Sequence, residues 1–280
     1  ARATGAFDRR RAGVLLHATS LPGAARRGAL GERACHFVDW LSVGGFGVWQ
    51  LLPLGPVGPD RSPYFARSNH AGNPQLIDLA RLAERGLLDA AAARREVAAV
   101  APSDLQAAAR AHAADLASAT RALLASRGEY RDAYDAFRAS EVHWLDDYAL
   151  FTAIQARESG RPWWEWPEPL RRHEPDALAA ARESLASEIE AIAVGQFLFH
   201  DQWRALRAYA ESRGVQLFGD VAIYVAPDSV EVWAHRELFQ LGDDCLPTAV
   251  AGVPPDYFSK DGQLWGNPLY RWEEHERTDF

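Results

Sequence analysis

Two short apolar runs, Gly13 to His17 (GVLLH) and Val48 to Leu52 (VWQLL), flank one helix-sized segment, and this arrangement restricts the fold more than any other feature of the chain. The segment between them, 31–41, carries Phe37, Val38 and Leu41 at helical spacing. Each run ends in polar or turn-forming residues: Thr19 and Ser20 after the first, Pro53, Gly55 and Pro56 after the second. Strand, helix, strand with short connections is a βαβ unit, and its strands are parallel. The first run, short and apolar, suits a buried parallel strand.

A third apolar run, Val215 to Phe218 (VQLF), follows Gly214 and leads into Gly219 and Asp220. A helical block separates it from the second. Leu76, Leu79 and Leu82 recur at helical spacing, and Gly86 stands where that helix stops. Ser103 after Pro102 is the predicted N-cap of a helix running through Leu105, Leu116 and Leu123 to Gly128. The Ala-rich segment 89–125 reads as a surface helical pair. Further helices are predicted over Ala133–Glu158 and Asp176–Glu211, the latter broken near Gly195. From Val221 to Tyr270 the chain is rich in Pro and Gly and lacks periodicity, which predicts an extended, ordered loop region. The blocks are therefore 1–75 (two βα units), 76–195 (helical insertion) and 196–280 (a third unit and its loops).

Composition removes several functional classes. With 30 Lys+Arg against 38 Asp+Glu, a net charge of −8 and no basic block, nucleic acid is not an expected partner. An apolar share of 48% and an aromatic share of 11% exclude a disordered chain. No apolar run reaches the length of a membrane span, and residues 1–16 lack the apolar core of a signal peptide. Cys35 and Cys245 make no disulfide framework, so a reducing cytoplasm is the expected setting. The His and Cys residues show no metal spacing, and there is neither a P-loop nor a GxGxxG, so no metal or cofactor is expected.

In parallel α/β folds, sites form at the C-terminal ends of strands. Here those ends lead into His17–Ser20, Pro53–Tyr64 and Asp220. The 250–270 stretch adds Asp256, Tyr257, Phe258, Ser259, Gln263, Trp265 and Asn267, a mixture of flat aromatic faces and hydrogen-bonding side chains that suits sugars. Other readings stand beside these. Asp220 reads equally as a turn cap, and His17 as a structural hydrogen-bonder. Tyr257, Phe258 and Trp265 read as loop packing, and Trp163, Trp164 and Trp166 as packing rather than a binding platform.

Taken in order, GVLLHATSLP (13–22), VWQLLPLGP (48–56), SPY…AGNP (62–74), WLDDYALF (144–151), QFLFHDQWRALRAYA (196–210), GDVAIYVAPDSVEVWAH (219–235) and AGVPPDYFSKDGQLWGNPLYRW (251–272) resemble the 4-α-glucanotransferases. These are the amylomaltases, or disproportionating enzymes, of glycoside hydrolase family 77. The resemblance implies an α/β fold, the (β/α)8 TIM barrel of the α-amylase superfamily with an inserted helical subdomain. Only the first three barrel strands are expected in this chain. It implies retaining transfer of α-1,4-glucan segments, with maltooligosaccharides and starch- or glycogen-type glucans as partners. It assigns Asp220 to the aspartate that contacts substrate and supports the nucleophile. Ser62 and Tyr64 fall on the donor-side sugar pocket. Asp256, Tyr257, Phe258 and Ser259 fall on a loop covering the cleft, and Gln263 and Trp265 on its sugar-binding continuation.

Four positions depart from the family pattern: Ala18, Phe65 and Ala222 replace Pro, Gln and Pro, and Pro59 stands where an aromatic often makes an accessory sugar contact. The family's nucleophile motif, Arg-Ile-Asp-His, and its acid/base have no counterpart before Phe280. A barrel needs about 250 residues without insertions, so the expectation is the N-terminal part of a larger enzyme, inactive alone. A non-catalytic glucan-binding or regulatory fragment and a related α-glucan hydrolase remain open at this point.

Overall fold

A computed structural model describes residues 10–22, 28–58, 60–91 and 105–279. Its elements run β1 (Gly13–Leu15), α1 (Glu32–Val43), β2 (Val48–Gln50), α2 (Leu79–Glu84), α3 (Leu105–Ala125), α4 (Glu129–Ser140), α5 (Val142–Arg157), α6 (Glu168–Arg171), α7 (Pro175–Ser184), α8 (Ala186–Ser212), β3 (Gln216–Phe218), α9 (Val230–Ala234), β4 (Val250–Val253), β5 (Gln263–Pro268) and α10 (Trp272–Arg277). The chain divides into two compact units, Ala1–Leu54 with Gly72–Ser140 and Val194–Asp220, and Gly55–Ala71 with Glu141–Ala193 and Val221–Phe280. This division cuts across the sequence blocks 1–75, 76–195 and 196–280. No helix among the described residues is long and apolar enough to cross a membrane.

In the first unit β1, β2 and β3 form a parallel sheet in that order, with Leu15, Gln50 and Phe218 abreast. Strand alternation puts Val14, Trp49 and Leu217 on the opposite face. α1 covers that face: Trp49 is buried and meets Phe37 edge-on at 4.9 Å. Leu15, on the face away from α1, is 55% exposed in this chain.

Two glutamines of α8 replace missing backbone partners in the loop after β2. Gln196 exchanges hydrogen bonds with both backbone groups of Gly72 (2.8 and 3.0 Å), and Gln202 does the same with Asp78 (2.7 and 2.9 Å). A Cβ at Gly72 would run into the Phe199 ring, which accounts for glycine in the AGNP segment.

The helical block differs from expectation in three places. Gly195 lies inside α8, and the interruption falls at Leu185, between α7 and α8. A mid-helix glycine costs about 1 kcal/mol, and here burial of Val194, Gln196, Phe197 and Leu198 offsets it. Predicted 133–158 is two helices, α4 and α5, that meet at Glu141. The Ala-rich helix α3 is not wholly a surface element, since Ala108, His112, Ala119 and Leu123 are buried. The predicted cap Ser103, with the rest of 92–104, lies outside the described residues, as does Pro59.

The second unit is built on aromatics. Phe151 of α5 packs against Trp166 (5.3 Å) and Trp233 (5.7 Å), and these two indoles meet edge-on at 5.7 Å. Trp163 and Trp166 are buried, and their Nε1 groups donate to the carbonyls of Pro227 (2.8 Å) and Arg161 (3.0 Å). The tryptophan cluster therefore packs, as its sequence suggested. The expected loop region 221–270 is more regular than predicted, because β4 and β5 pair in an antiparallel ladder within it. Gly252, Pro254, Pro255 and Gly262 disguise these strands in the sequence. Gly262 takes φ +75° at the turn, where a Cβ would meet the Val253 carbonyl.

Candidate functional site

The second unit contains an open cavity of about 590 Å3. The loop 55–71 contributes Asp60, Ser62, Tyr64 and Phe65; the segment after Asp220 contributes Val221 to Tyr224; β5 contributes Trp265 and Asn267. Short local bonds shape the first wall. Asp60 Oδ1 accepts from the Ser62 N–H at 3.4 Å, and Ser62 Oγ accepts from the Tyr64 N–H at 3.3 Å. Ala66 bridges back to Val57.

The other two walls are joined by polar and ring contacts. Asn267 Nδ2 donates to the Val225 carbonyl at 2.8 Å, and Tyr270 Oη donates to the Ile223 carbonyl at 3.0 Å. Tyr224 stands edge-on to Trp265 at 6.1 Å and stacked on Tyr270 at 6.0 Å. Trp265 Nε1 donates to Gln263 Oε1 at 3.1 Å, which orients the indole. The result is a concave surface of aromatic and aliphatic faces with a few oxygen- and nitrogen-bearing groups, the composition that sugar rings need.

The structure brings Ser62, Tyr64 and Trp265 together on this cavity, with Gln263 bonded to Trp265. Asp256, Tyr257, Phe258 and Ser259 form the turn between β4 and β5 and are not among its lining. Asp256 Oδ1 accepts from the N–H groups of Phe258 (2.9 Å) and Ser259 (2.7 Å), so this oxygen shapes the turn itself. Tyr257 and Phe258 meet edge-on at 5.6 Å, and they are 97% and 89% exposed in this chain. Asp220 belongs to the first unit, two residues beyond β3 and directly before Val221 in the chain.

His17 has structural work. Its Nδ1 lies 2.7 Å from Thr19 Oγ1 and its Nε2 lies 3.3 Å from the Pro53 carbonyl, and burial pulls its pKa below the ordinary histidine value. Ala18 is buried in the turn that His17 caps. Two departures from the family pattern, Phe65 and Ala222, line the cavity. Asp60 falls within the candidate stretch Pro53–Tyr64, whereas Val221, Ile223 and Tyr224 are lining residues that the sequence does not mark as a site except by their position directly after Asp220.

The parallel strands of the first unit and the aromatic-lined cavity of the second are each features of carbohydrate-active α/β enzymes. The profile of the 4-alpha-glucanotransferase family of glycoside hydrolase family 77 matches residues 16–280. The 4-alpha-glucanotransferase of Thermus thermophilus is 48% identical over 272 residues, covering 96% of this chain and 53% of that protein. The chloroplastic/amyloplastic 4-alpha-glucanotransferase of Solanum tuberosum is 40% identical over 282 residues, covering 98% and 48%. Among solved structures, the amylomaltase from Streptococcus agalactiae in complex with acarbose superposes with a TM-score of 0.91 at 38% identity, over 97% of this chain and 55% of that one. The chain belongs to the 4-alpha-glucanotransferase family. Its fold class is that of the amylomaltases, the (β/α)8 barrel, to which β1, β2 and β3 contribute parallel strands. The chain spans about half the length of the curated relatives it matches.

Proposed function

We propose that the protein is a 4-α-glucanotransferase and that this chain supplies a glucan-binding wall of its active site. The observation that carries the reading is the cavity of about 590 Å3 on which Ser62, Tyr64 and Trp265, three residues matched to family sugar contacts, converge. Indole and phenol faces cover the apolar faces of glucose rings, while Ser62, Asn267 and Asp60 offer polar atoms to hydroxyls. Asp220 is assigned a supporting role in stabilising charge at the reacting carbon.

In the retaining reaction a carboxylate attacks the anomeric carbon while a carboxylic acid protonates the departing glycosidic oxygen. The 4-hydroxyl of an acceptor glucan then attacks the same carbon, giving its proton to the second carboxylate and freeing the first. No motif of this chain matches the family's nucleophile or acid/base, so both are assigned to sequence outside it. The turn bearing Tyr257 and Phe258 is assigned to covering the cleft, where its apolar rings exclude water.

The test is maltotriose disproportionation by the whole protein. Wild type should release glucose together with longer maltooligosaccharides. Ser62→Ala with Trp265→Ala should raise KM with the fold intact. Net hydrolysis without chain lengthening, or an unaltered double variant, would refute the assignment.

A further inference from the structure

Two walls of the cavity run on into one polar cluster. Arg67, three residues past Tyr64, donates through Nη1 to Gln155 Oε1 on α5. Its Nη2 lies 4.0 Å from Asp228 Oδ2. Gln155 Nε2 donates to that same oxygen at 2.9 Å, and Asp228 Oδ1 accepts from the Trp163 N–H at 3.2 Å. The backbone is joined as well, with Val230 N–H donating to the Arg67 carbonyl at 3.0 Å. Next along both strands of the cluster, Glu231 Oε1 accepts from Ser68 Oγ at 3.0 Å and from the Asn69 N–H at 2.7 Å. Residues 67–69 are thus fixed to 228–231.

The placement of these contacts matters more than their number. Ser62, Tyr64 and Phe65 lie just upstream of the first anchor, and Val221 to Tyr224 lie just upstream of the second. Both wall segments lie outside the named helices and strands. Gln155 is buried on a helix and presents its amide oxygen to the cation and its amide nitrogen to the anion, so one rigid side chain sets the spacing of both. A partly buried ion pair is a poor device for stability alone, since apolar replacements of the same shape are often as stable. Its specific product is geometry, and misplacing a binding group by about 1 Å is enough to cost a hundredfold in function.

We propose that Arg67, Gln155 and Asp228 are positioning residues for the cavity, holding the Ser62–Tyr64 and Val221–Tyr224 segments at the separation a bound glucose ring requires. The proposal rests on the reading that the cavity takes α-glucan.

The experiment uses the full 280-residue chain, with Arg67→Lys, which keeps the charge but loses the fork, and Asp228→Asn, which keeps the shape but loses the charge. Maltoheptaose binding is measured by calorimetry and amide hydrogen exchange is read by segment. We expect binding weakened on the order of tenfold or more, with faster exchange at 62–65 and 221–224 and no change in α3 or β1–β3. A purely structural role would lower the melting temperature and leave the affinity of the folded fraction as it was. If Asp228→Asn does not fold, Arg67→Lys decides. A wild-type chain that ignores maltoheptaose would retire the glucan reading, while localised exchange in the variants would still support the clamp. Unchanged affinity with unchanged exchange overturns it.

Discussion

Asn267 donates its side-chain amide to the Val225 carbonyl across 2.8 Å, and both residues are buried. This bond fastens β5, which carries Trp265, to the segment that forms the neighbouring cavity wall. Asn267→Ala leaves the Val225 carbonyl without that donor, a loss of about 1–3 kcal/mol. Urea unfolding measures it. A change below about 0.5 kcal/mol, the range of ordinary surface substitutions, would mean that another donor takes over.

Asp228 gives a pH dependence opposite to that of an ordinary salt-bridged carboxylate. Burial raises its pKa above 3.8 in the folded state, and this outweighs the lowering by the Trp163 N–H, Arg67 and Gln155. Between 3.8 and that raised value the folded chain binds more protons than the unfolded one. The contribution of Asp228 to stability is therefore greatest below 3.8 and declines as pH rises through the folded value. The stability of wild type minus that of Asp228→Asn, followed by denaturant titration at a series of pH values, should fall with rising pH across this window. A difference that grows with pH would show that hydrogen bonding dominates over burial.

The strands of the sheet were legible because GVL, VWQ and QLF are apolar and each is closed by turn residues. The family motifs led to Ser62, Tyr64 and Trp265, and the cavity unites them. What escaped has physical causes. β4 and β5 were hidden because their turn and bulge use Gly and Pro, the same residues that mark irregular loops. Gly195 misled because local propensity disfavours it in a helix while its buried neighbours hold it there. Arg67 and Asp228 resemble solvated surface charges in a sequence, and their link through Gln155 spans 88 and 73 positions. No periodicity reports a contact of that separation.

Tyr257 and Phe258 are 97% and 89% exposed, so their joint replacement by Ala should shift stability by no more than about 0.5 kcal/mol. In the whole enzyme the same double variant should raise the number of free reducing ends formed per transfer event, since water reaches the intermediate more easily. An unaltered ratio would place water exclusion elsewhere.

The central claim is that the cavity beside Trp265 receives α-1,4-glucan. Its most direct test is a titration of the isotope-labelled chain with maltoheptaose, followed through the indole N–H resonances, with Trp265 assigned by Trp265→Phe. The Trp265 resonance should shift saturably, because Trp265 lines the cavity and its indole is held by Gln263. The β-linked cellohexaose should not move it. A Trp265 resonance that stays put under maltoheptaose, or follows both sugars alike, would contradict the assignment.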